Sequence, residues 1–153
     1  MGYNNQNRNA VEVRDLQFPE QPYFYVFIPP VPVPAGATAI VTQNVSDRDF
    51  IWEYIGWTTD AVFAPVFWLP AVGVPFRVNI WDIHGQKMFS NERVDLTTIT
   101  GNNPQLFDKP MTKIPRPWRF VFNTSIRVEF LNDGPVPATP RLTLGGYLTD
   151  SLR

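Results

Sequence analysis

The sequence has no cysteine and a single histidine, His84. The lack of cysteine excludes disulfides, thiolate metal sites and cysteine nucleophiles. A structural zinc ion needs three or four ligands, drawn mainly from cysteine and histidine, so a zinc site of that kind is also excluded. The densest acidic group, Asp47, Asp49 and Glu53, offers oxygen ligands for calcium, but its spacing is not that of an EF-hand loop and favours capping or turn roles. We therefore expect no metal and no cofactor, and stability that comes from packing or assembly.

Long apolar runs and an excess of charge of one sign are also missing. No stretch of about 18 apolar residues occurs, and the N-terminal segment lacks the apolar run of about 7–15 residues that a signal peptide needs. The 13 Lys and Arg residues are balanced by 14 Asp and Glu residues, so no long-range field attracts the chain to phosphate or to anionic lipid. These features predict a soluble protein with no membrane partner and no secretory route.

Windows that could form a helix are scarce because proline is abundant. The 16 prolines among 153 residues are about twice the usual 5 %, and few stretches between them could hold a ten-residue helix. What remains alternates with a period of two, the pattern of half-buried strands, as in FRVNIWDI (76–83), where Phe76, Val78 and Ile80 share one face. Comparable segments are 23–28, 37–45, 49–57, 61–69, 91–99 and 140–148, and RFVFNTSIRVEF (119–130) supplies two more.

Eight or nine short strands separated by Gly, Pro, Asn and Asp turns predict an all-β fold, an antiparallel two-sheet sandwich of jelly-roll type. A closed small barrel is the structural alternative. Residues 1–20 are polar and rich in asparagine, so we expect an extended N-terminal arm there and one sandwich domain over residues 21–153. The segment IPPVPVPAG (28–36) is expected to be an extended connector, with a PxxP ligand for proline-binding domains as the alternative.

The segment RFVFNTSIRVEF (119–130) combines arginines with aromatic residues. Its alternation predicts a hairpin turning at Asn-Thr-Ser, with Phe120 and Phe122 on one face and Arg119 and Arg127 on the other. A base-stacking platform needs aromatics beside the cations on the exposed face. The pattern therefore favours the wall of a sandwich, and no specific nucleic-acid binding is expected.

Motifs for catalysis are also lacking. His84 lies two residues from Asp82, which would put both on one face of a strand and could orient an imidazole. No G-x-S-x-G nucleophile motif accompanies them, however, and no phosphate-cradling loop occurs. A turn residue at a strand end before Gly85 is the favoured interpretation of His84, and we expect a non-enzymatic protein.

Three segments taken in order suggest a family. DFIWEYIG (49–56), PRPWRFVFNTSIRVEFLND (115–133) and RLTLGGYL (141–148) together resemble small β-sandwich virion proteins of tailed bacteriophages, the capsid auxiliary, decoration and other structural components. The resemblance extends to the polar arm and to the proline-to-strand step between Pro34 and Val41. It implies a structural virion protein, assembled in the cytoplasm of the host bacterium.

The expected function is that of a capsid decoration or cement protein that stabilises contacts between capsid subunits. Its partners would be the major capsid protein or other virion subunits, with a homo-oligomer in the particle. A tail or neck subunit and a carbohydrate-binding module of a tail fibre are the alternatives. Candidate assembly contacts, for which aromatic and apolar residues outside the core are favoured, are Tyr3, Arg8, Val11, Val13, Leu16, Phe18, Trp57, Trp68 and Tyr147. For each aromatic residue a place in the core is the alternative interpretation.

Overall fold

The computed structural model describes residues 20–45, 48–60, 76–101 and 111–150. These residues form nine β-strands and one short helix: β1 (Gln21–Phe27), β2 (Thr38–Asn44), β3 (Asp49–Thr59), β4 (Phe76–Asp82), β5 (Lys87–Met88), β6 (Val94–Asp95), α1 (Leu96–Thr100), β7 (Thr112–Phe120), β8 (Ser125–Asn132) and β9 (Pro140–Thr149). The prediction of an all-β fold with eight or nine strands is confirmed in this part of the chain. The strand predicted at 61–69 and the arm up to residue 19 lie outside the described residues.

The strands form two antiparallel sheets that pack face to face. One has the order β1-β9-β3-β7, and the other has the order β2-β8-β4-β5 with β6 also paired to β4. Strands from the start of the chain thus pair with strands from its end: β1 with β9, β2 with β8 and β3 with β7. This is the order of a jelly roll, in which one long antiparallel ribbon is rolled into a sandwich. Because the described strands form two separate sheets, the alternative of a closed small barrel is wrong.

The core lies between the sheets and is built by period-two alternation from both sides. Phe76, Val78 and Ile80 of β4 are buried, as their spacing predicts. Phe50 and Phe120 are direct partners on β3 and β7, and their rings stack on the core side of that sheet with their centroids 6.2 Å apart. The largest fully buried side chains are Phe27, Phe50, Phe76, Phe120, Phe130, Ile55, Leu96, Ile126, Leu142 and Leu144. Truncation of one such phenylalanine to alanine costs about 3–5 kcal/mol, so these residues determine the stability of the sandwich.

The segment 119–130 is not a hairpin, although its two strands form as predicted. β7 pairs with β3 in one sheet, whereas β8 pairs with β2 and β4 in the other. The turn between them crosses from sheet to sheet, with Asn123 at φ 62. Phe120 and Ile126 are both fully buried and meet the same core from opposite sides. Arg119 and Arg127 do lie opposite the core, but on the outer faces of different sheets.

The strand predicted at 91–99 is also wrong over most of its length. Only Val94–Asp95 forms a strand, and Leu96–Thr100 is helical. Leu96 and Thr100 are buried one helical turn apart, and the Thr100 hydroxyl donates to the Leu96 carbonyl at 2.7 Å. Gly101 ends the helix in the left-handed region at φ 64, where glycine meets no steric penalty. A spacing of four residues, as between Leu96 and Thr100, puts both side chains on one face of a helix and also on one face of a strand. Alternation alone therefore could not distinguish the two.

A bulge in β3 decides which of its aromatic residues enter the core. The register of β3 against both neighbours shifts between Trp52 and Tyr54, which leaves Glu53 as the extra residue. Trp52, Ile55 and Trp57 are therefore all buried. Strict alternation from Trp52 would have turned Ile55 and Trp57 outward.

Candidate functional site

The candidate assembly contacts fall into three groups. Trp57 is 2 % exposed and packs edge-on against Phe76, so it is a core residue rather than an exposed contact residue. Tyr147 is half-buried on the outer face of the β1-β9-β3-β7 sheet, where its surface is open to a partner. The remaining candidates lie outside the described residues: Tyr3, Arg8, Val11, Val13, Leu16, Phe18 and Trp68.

Tyr147 belongs to an apolar outer surface that we call the aromatic face: Phe24, Val26, Ile51, Tyr54 and Tyr147. Phe24 is 56 % exposed, Val26 39 % and Tyr54 38 %. The register places Tyr147 beside Ile51 on the neighbouring strand. The outward side of an antiparallel sheet in a free monomer is usually polar, so this side of the sandwich has the character of a contact surface.

Gly145 forms the floor of the aromatic face between Phe24 and Tyr54, its direct partners on the two neighbouring strands. A Cβ atom at Gly145 would lie 2.8 Å from the Met111 methyl group and 3.1 Å from the Phe24 ring. These two side chains therefore lean over the glycine and bury it, although it points outward. The absence of a side chain at Gly145 thus leaves room for Met111 and Phe24 to lie against the sheet.

The hydroxyl of Tyr147 is held in its neutral form. Burial raises the pKa of Tyr147 above its ordinary value of 10.0, and the negative charges of Glu20 and Glu53 raise it further. A neutral phenol both donates and accepts a hydrogen bond. Tyr147 can therefore contribute a polar contact within an otherwise apolar patch.

The outer face of the opposite sheet is polar and contains a depression that we call the polar groove. Its volume is about 460 Å³, and it is lined by Arg77, Asn79, Trp81, Met88, Asn91, Glu92, Arg93 and Glu129. None of these residues was predicted as a site. A signal was present, because alternation places Arg77, Asn79 and Trp81 on one side of β4, opposite the buried Phe76, Val78 and Ile80. Sequence alone could not show that loop residues 91–93 close the same depression.

A larger opening of about 920 Å³ lies between the two sheets, as bounded by described residues. Its wall contains an aromatic cluster in which Phe89 contacts Trp52 and Trp118 edge-to-face, with centroids 5.3 and 5.1 Å apart. Partly buried Ile99 and Ile114 also pack against the core there. This opening continues the hydrophobic core toward one edge of the sandwich.

His84 and Asp82 lie in different surroundings, one exposed and the other buried. His84 lies exposed in the turn after β4, and its backbone N–H donates to the Thr124 hydroxyl at 3.1 Å. Asp82 is buried and accepts bonds from the Thr124 hydroxyl at 3.0 Å and from the Gly85 N–H at 3.1 Å. These contacts fix the turn, and the interpretation of His84 as a turn residue agrees with them.

The basic residues of the segment 119–130 do not share one surface. Arg119 on β7 binds the buried carboxylate of Asp49, with its Nε atom 2.7 Å from Oδ2. The second carboxylate oxygen of Asp49 accepts the Phe122 N–H at 2.8 Å. Asp49 therefore joins β3 to the end of β7, a structural role for one member of the acidic group considered above. Asp47 lies outside the described residues.

Within the four described ranges, no cluster of three or more His, Cys, Asp or Glu residues could hold a metal ion. The same ranges contain no helix long and apolar enough to span a bilayer.

The comparisons with known proteins add no relative. No protein-family model matches the chain, and no curated protein is similar to it. The geometry of the jelly roll and its two outer faces therefore has to support any functional proposal.

Proposed function

We propose that the protein is a non-enzymatic structural protein of a bacteriophage virion, a capsid decoration or cement protein that stabilises contacts between capsid subunits. The three segments from which the resemblance to phage virion proteins was inferred fall on β3, on β7 and β8, and on β9, which are strands of both sheets. Jelly rolls occur in viral capsid proteins and in lectins. A fold does not define a function, so the proposal depends on the surface.

The aromatic face is the observation that carries this proposal. Phe24, Val26 and Tyr54 leave large apolar side chains in water on a regular, outward-facing sheet surface. Each exposed apolar group that enters an interface gains about 25 cal/mol per Å² removed from water. Such a surface is stabilised by a permanent neighbour, and a subunit of the capsid shell is the neighbour we propose.

Two further exposed valines lie in the proline-rich segments that precede β2 and β9. Val33 of the connector bonds to Ala138 in both directions, with N···O distances of 2.8 and 3.2 Å. This bridge joins the two segments at one end of the sandwich, and Val31 and Val136 in them are 66 % and 47 % exposed. The expected connector at 28–36 is thus anchored to the fold while its tip stays available for contact. An extended interface with the capsid shell would include this end of the sandwich as well as the aromatic face.

Co-sedimentation of the full chain with capsids purified from cells that carry its gene tests the proposal. Val26→Asp and Val121→Asp form a matched pair, because both valines are 39 % exposed and only Val26 lies on the aromatic face. We expect Val26→Asp to weaken capsid binding at least tenfold, about 1.4 kcal/mol, and Val121→Asp to leave it unchanged. Near-ultraviolet circular dichroism verifies that both variants are folded.

The same preparation separates the alternatives. Absence of the protein from capsids, together with a large oligomer of fixed size in light scattering, would replace the decoration role with a tail or neck ring. Equal binding by the two variants would show that the aromatic face is not the contact surface.

A further inference from the structure

The polar groove lies on the side of the sandwich that faces away from the aromatic face. Trp81 and Arg127 are partners across β4 and β8, as are Asn79 and Glu129 in the next row. Asn79, Trp81 and Glu129 of these rows line the groove, whose volume of about 460 Å³ falls within the usual range for small-molecule sites. A contact made through one outer face leaves the other free, so the groove can bind a second partner independently.

The charged side chains that line the groove balance, with Arg77 and Arg93 against Glu92 and Glu129. Arg93 donates to Glu129 Oε1 through Nε at 2.7 Å and also through Nη2. Arg77 forms an ion pair with Asp133 at the other end of the same face. Because each cation is matched by an anion, the groove offers little net attraction to phosphate or to a free carboxylate. Its donors and acceptors are nevertheless fixed in position.

Glu129 is the best-placed acceptor in the groove. The residue is 8 % exposed, although its side chain points away from the core. Both bonds from Arg93 end on one carboxylate oxygen, Oε1. A carboxylate has several lone-pair sites, so the second oxygen is available to accept a hydroxyl. A nearly buried carboxylate that is satisfied on one side is expected to gain from a ligand donor on the other.

Asn79 and Trp81 supply the remaining chemistry. The Asn79 carbonyl oxygen accepts the Ser90 hydroxyl at 3.1 Å, which fixes an amide that is 6 % exposed at the base of the groove. The Arg127 guanidinium lies over the Trp81 ring, 4.9 Å from its centroid, and holds the indole in place. Arg127 covers one face of the indole and does not itself line the groove. The part of the ring turned away from Arg127 therefore supplies the apolar surface of the groove, beside fixed hydrogen-bonding groups.

We propose that the polar groove binds an uncharged pyranose unit of a polysaccharide. Each sugar hydroxyl both donates and accepts a hydrogen bond, which adjacent Arg and Glu or Asn groups satisfy together. The C–H face of the ring packs on the indole of Trp81. Neutral charge, paired polar groups and one aromatic platform together select a neutral sugar over an anionic one. This binding activity is independent of the capsid role proposed above.

Retention of the full chain on immobilised neutral polysaccharides tests this proposal. The panel contains polymers of glucose, galactose, mannose and N-acetylglucosamine, with heparin and polygalacturonate as anionic counterparts. We expect retention on at least one neutral polymer that changes little between about 50 and 500 mM salt, because no net charge is involved. Retention by the anionic polymers alone, or by no polymer, would overturn the proposal.

Variants locate the binding site. We expect Trp81→Ala and Glu129→Gln each to weaken binding at least tenfold, whereas Phe24→Ala on the aromatic face leaves it unchanged. Because removal of one ion-pair partner could disturb the fold, Arg93→Lys serves as a second variant that keeps the positive charge and should bind with intermediate affinity. Unfolding midpoints are measured for all four. Full binding by a folded Trp81→Ala protein would refute the assignment of the groove.

Discussion

Two adjacent glycines in β9 are expected to differ sharply in how much stability the same substitution costs. A Cβ atom added at Gly146 would lie 1.8 Å from the Ile51 carbonyl oxygen of the neighbouring strand. The same atom at Gly145 would meet only the ends of two side chains, Met111 and Phe24. Gly146 is thus required because two backbones approach closely, next to the bulge of β3.

The size of the effect follows from these distances. A carbon and a carbonyl oxygen approach no closer than about 3.3 Å, so Gly146→Ala must move the strands apart by about 1.5 Å. That displacement breaks hydrogen bonds between β3 and β9, each of which costs about 1–3 kcal/mol when its groups stay buried. We expect a loss of at least 4 kcal/mol, a large fraction of the stability of a typical domain, about 5–15 kcal/mol. Gly145→Ala should change stability by no more than about 1 kcal/mol, because gained strand propensity offsets the shift of flexible side chains.

Urea unfolding followed by tryptophan fluorescence measures both variants, since the chain has five tryptophans. Linear extrapolation at an unchanged slope gives the difference in unfolding free energy. If Gly146→Ala were within 1 kcal/mol of the wild type, or if the two substitutions cost the same, the packing of β3 against β9 described above would be wrong.

Three further predictions concern the arm, a buried amide and a phenol. Deletion of residues 1–18 should leave the unfolding free energy within about 1 kcal/mol but weaken capsid binding, and a truncated chain that fails to fold or binds equally well would contradict this. Asn132→Ala removes the hydrogen bonds that the amide donates to the carbonyls of Val33 and Val136 at 2.8 and 2.9 Å. We expect the free energy of unfolding, measured in urea, to fall by about 3 kcal/mol. Substitution of the exposed Asn44 by alanine should lower it by about 0.5 kcal/mol or less. The pKa of Tyr147 is raised in the fold, so the unfolded chain loses this proton at a lower pH than the folded one. The free energy of unfolding should therefore fall as the pH rises above about 10, and it should fall less in Tyr147→Phe. Equal pH dependence in both proteins would count against the burial of the phenol.

Much of the fold could be predicted from the sequence because alternation specifies which side chains face the core. It does not specify which strand is the neighbour. Phe120 and Ile126 are buried equally well whether their strands lie side by side or face each other across the core, and the second arrangement is the observed one. The bulge after Trp52 has no sequence signal of its own, yet it turns Trp57 inward.

The candidate site was harder to predict, because it depends on exposure and on loops. Tyr147 was identified as a candidate contact residue and is half-exposed, but Phe24 and Tyr54 beside it were missed. Gly145 is the direct partner of both residues, on two different strands. The three residues are seen to form one surface only when the register of all three strands is known. The polar groove forms only because Arg93, in the loop before β6, contacts Glu129 on β8, and these residues are 36 positions apart in the sequence.

The rolled ribbon has a consequence for how the protein forms in the cell. β1, the first strand described, finds its partner only in β9, the last one. Neither sheet can be completed while the distal half of the chain is still being translated, and pairings so far apart in sequence are slow to form. We therefore expect nascent chains to leave apolar strands unpaired until the final strand is released, which makes them prone to aggregation during synthesis.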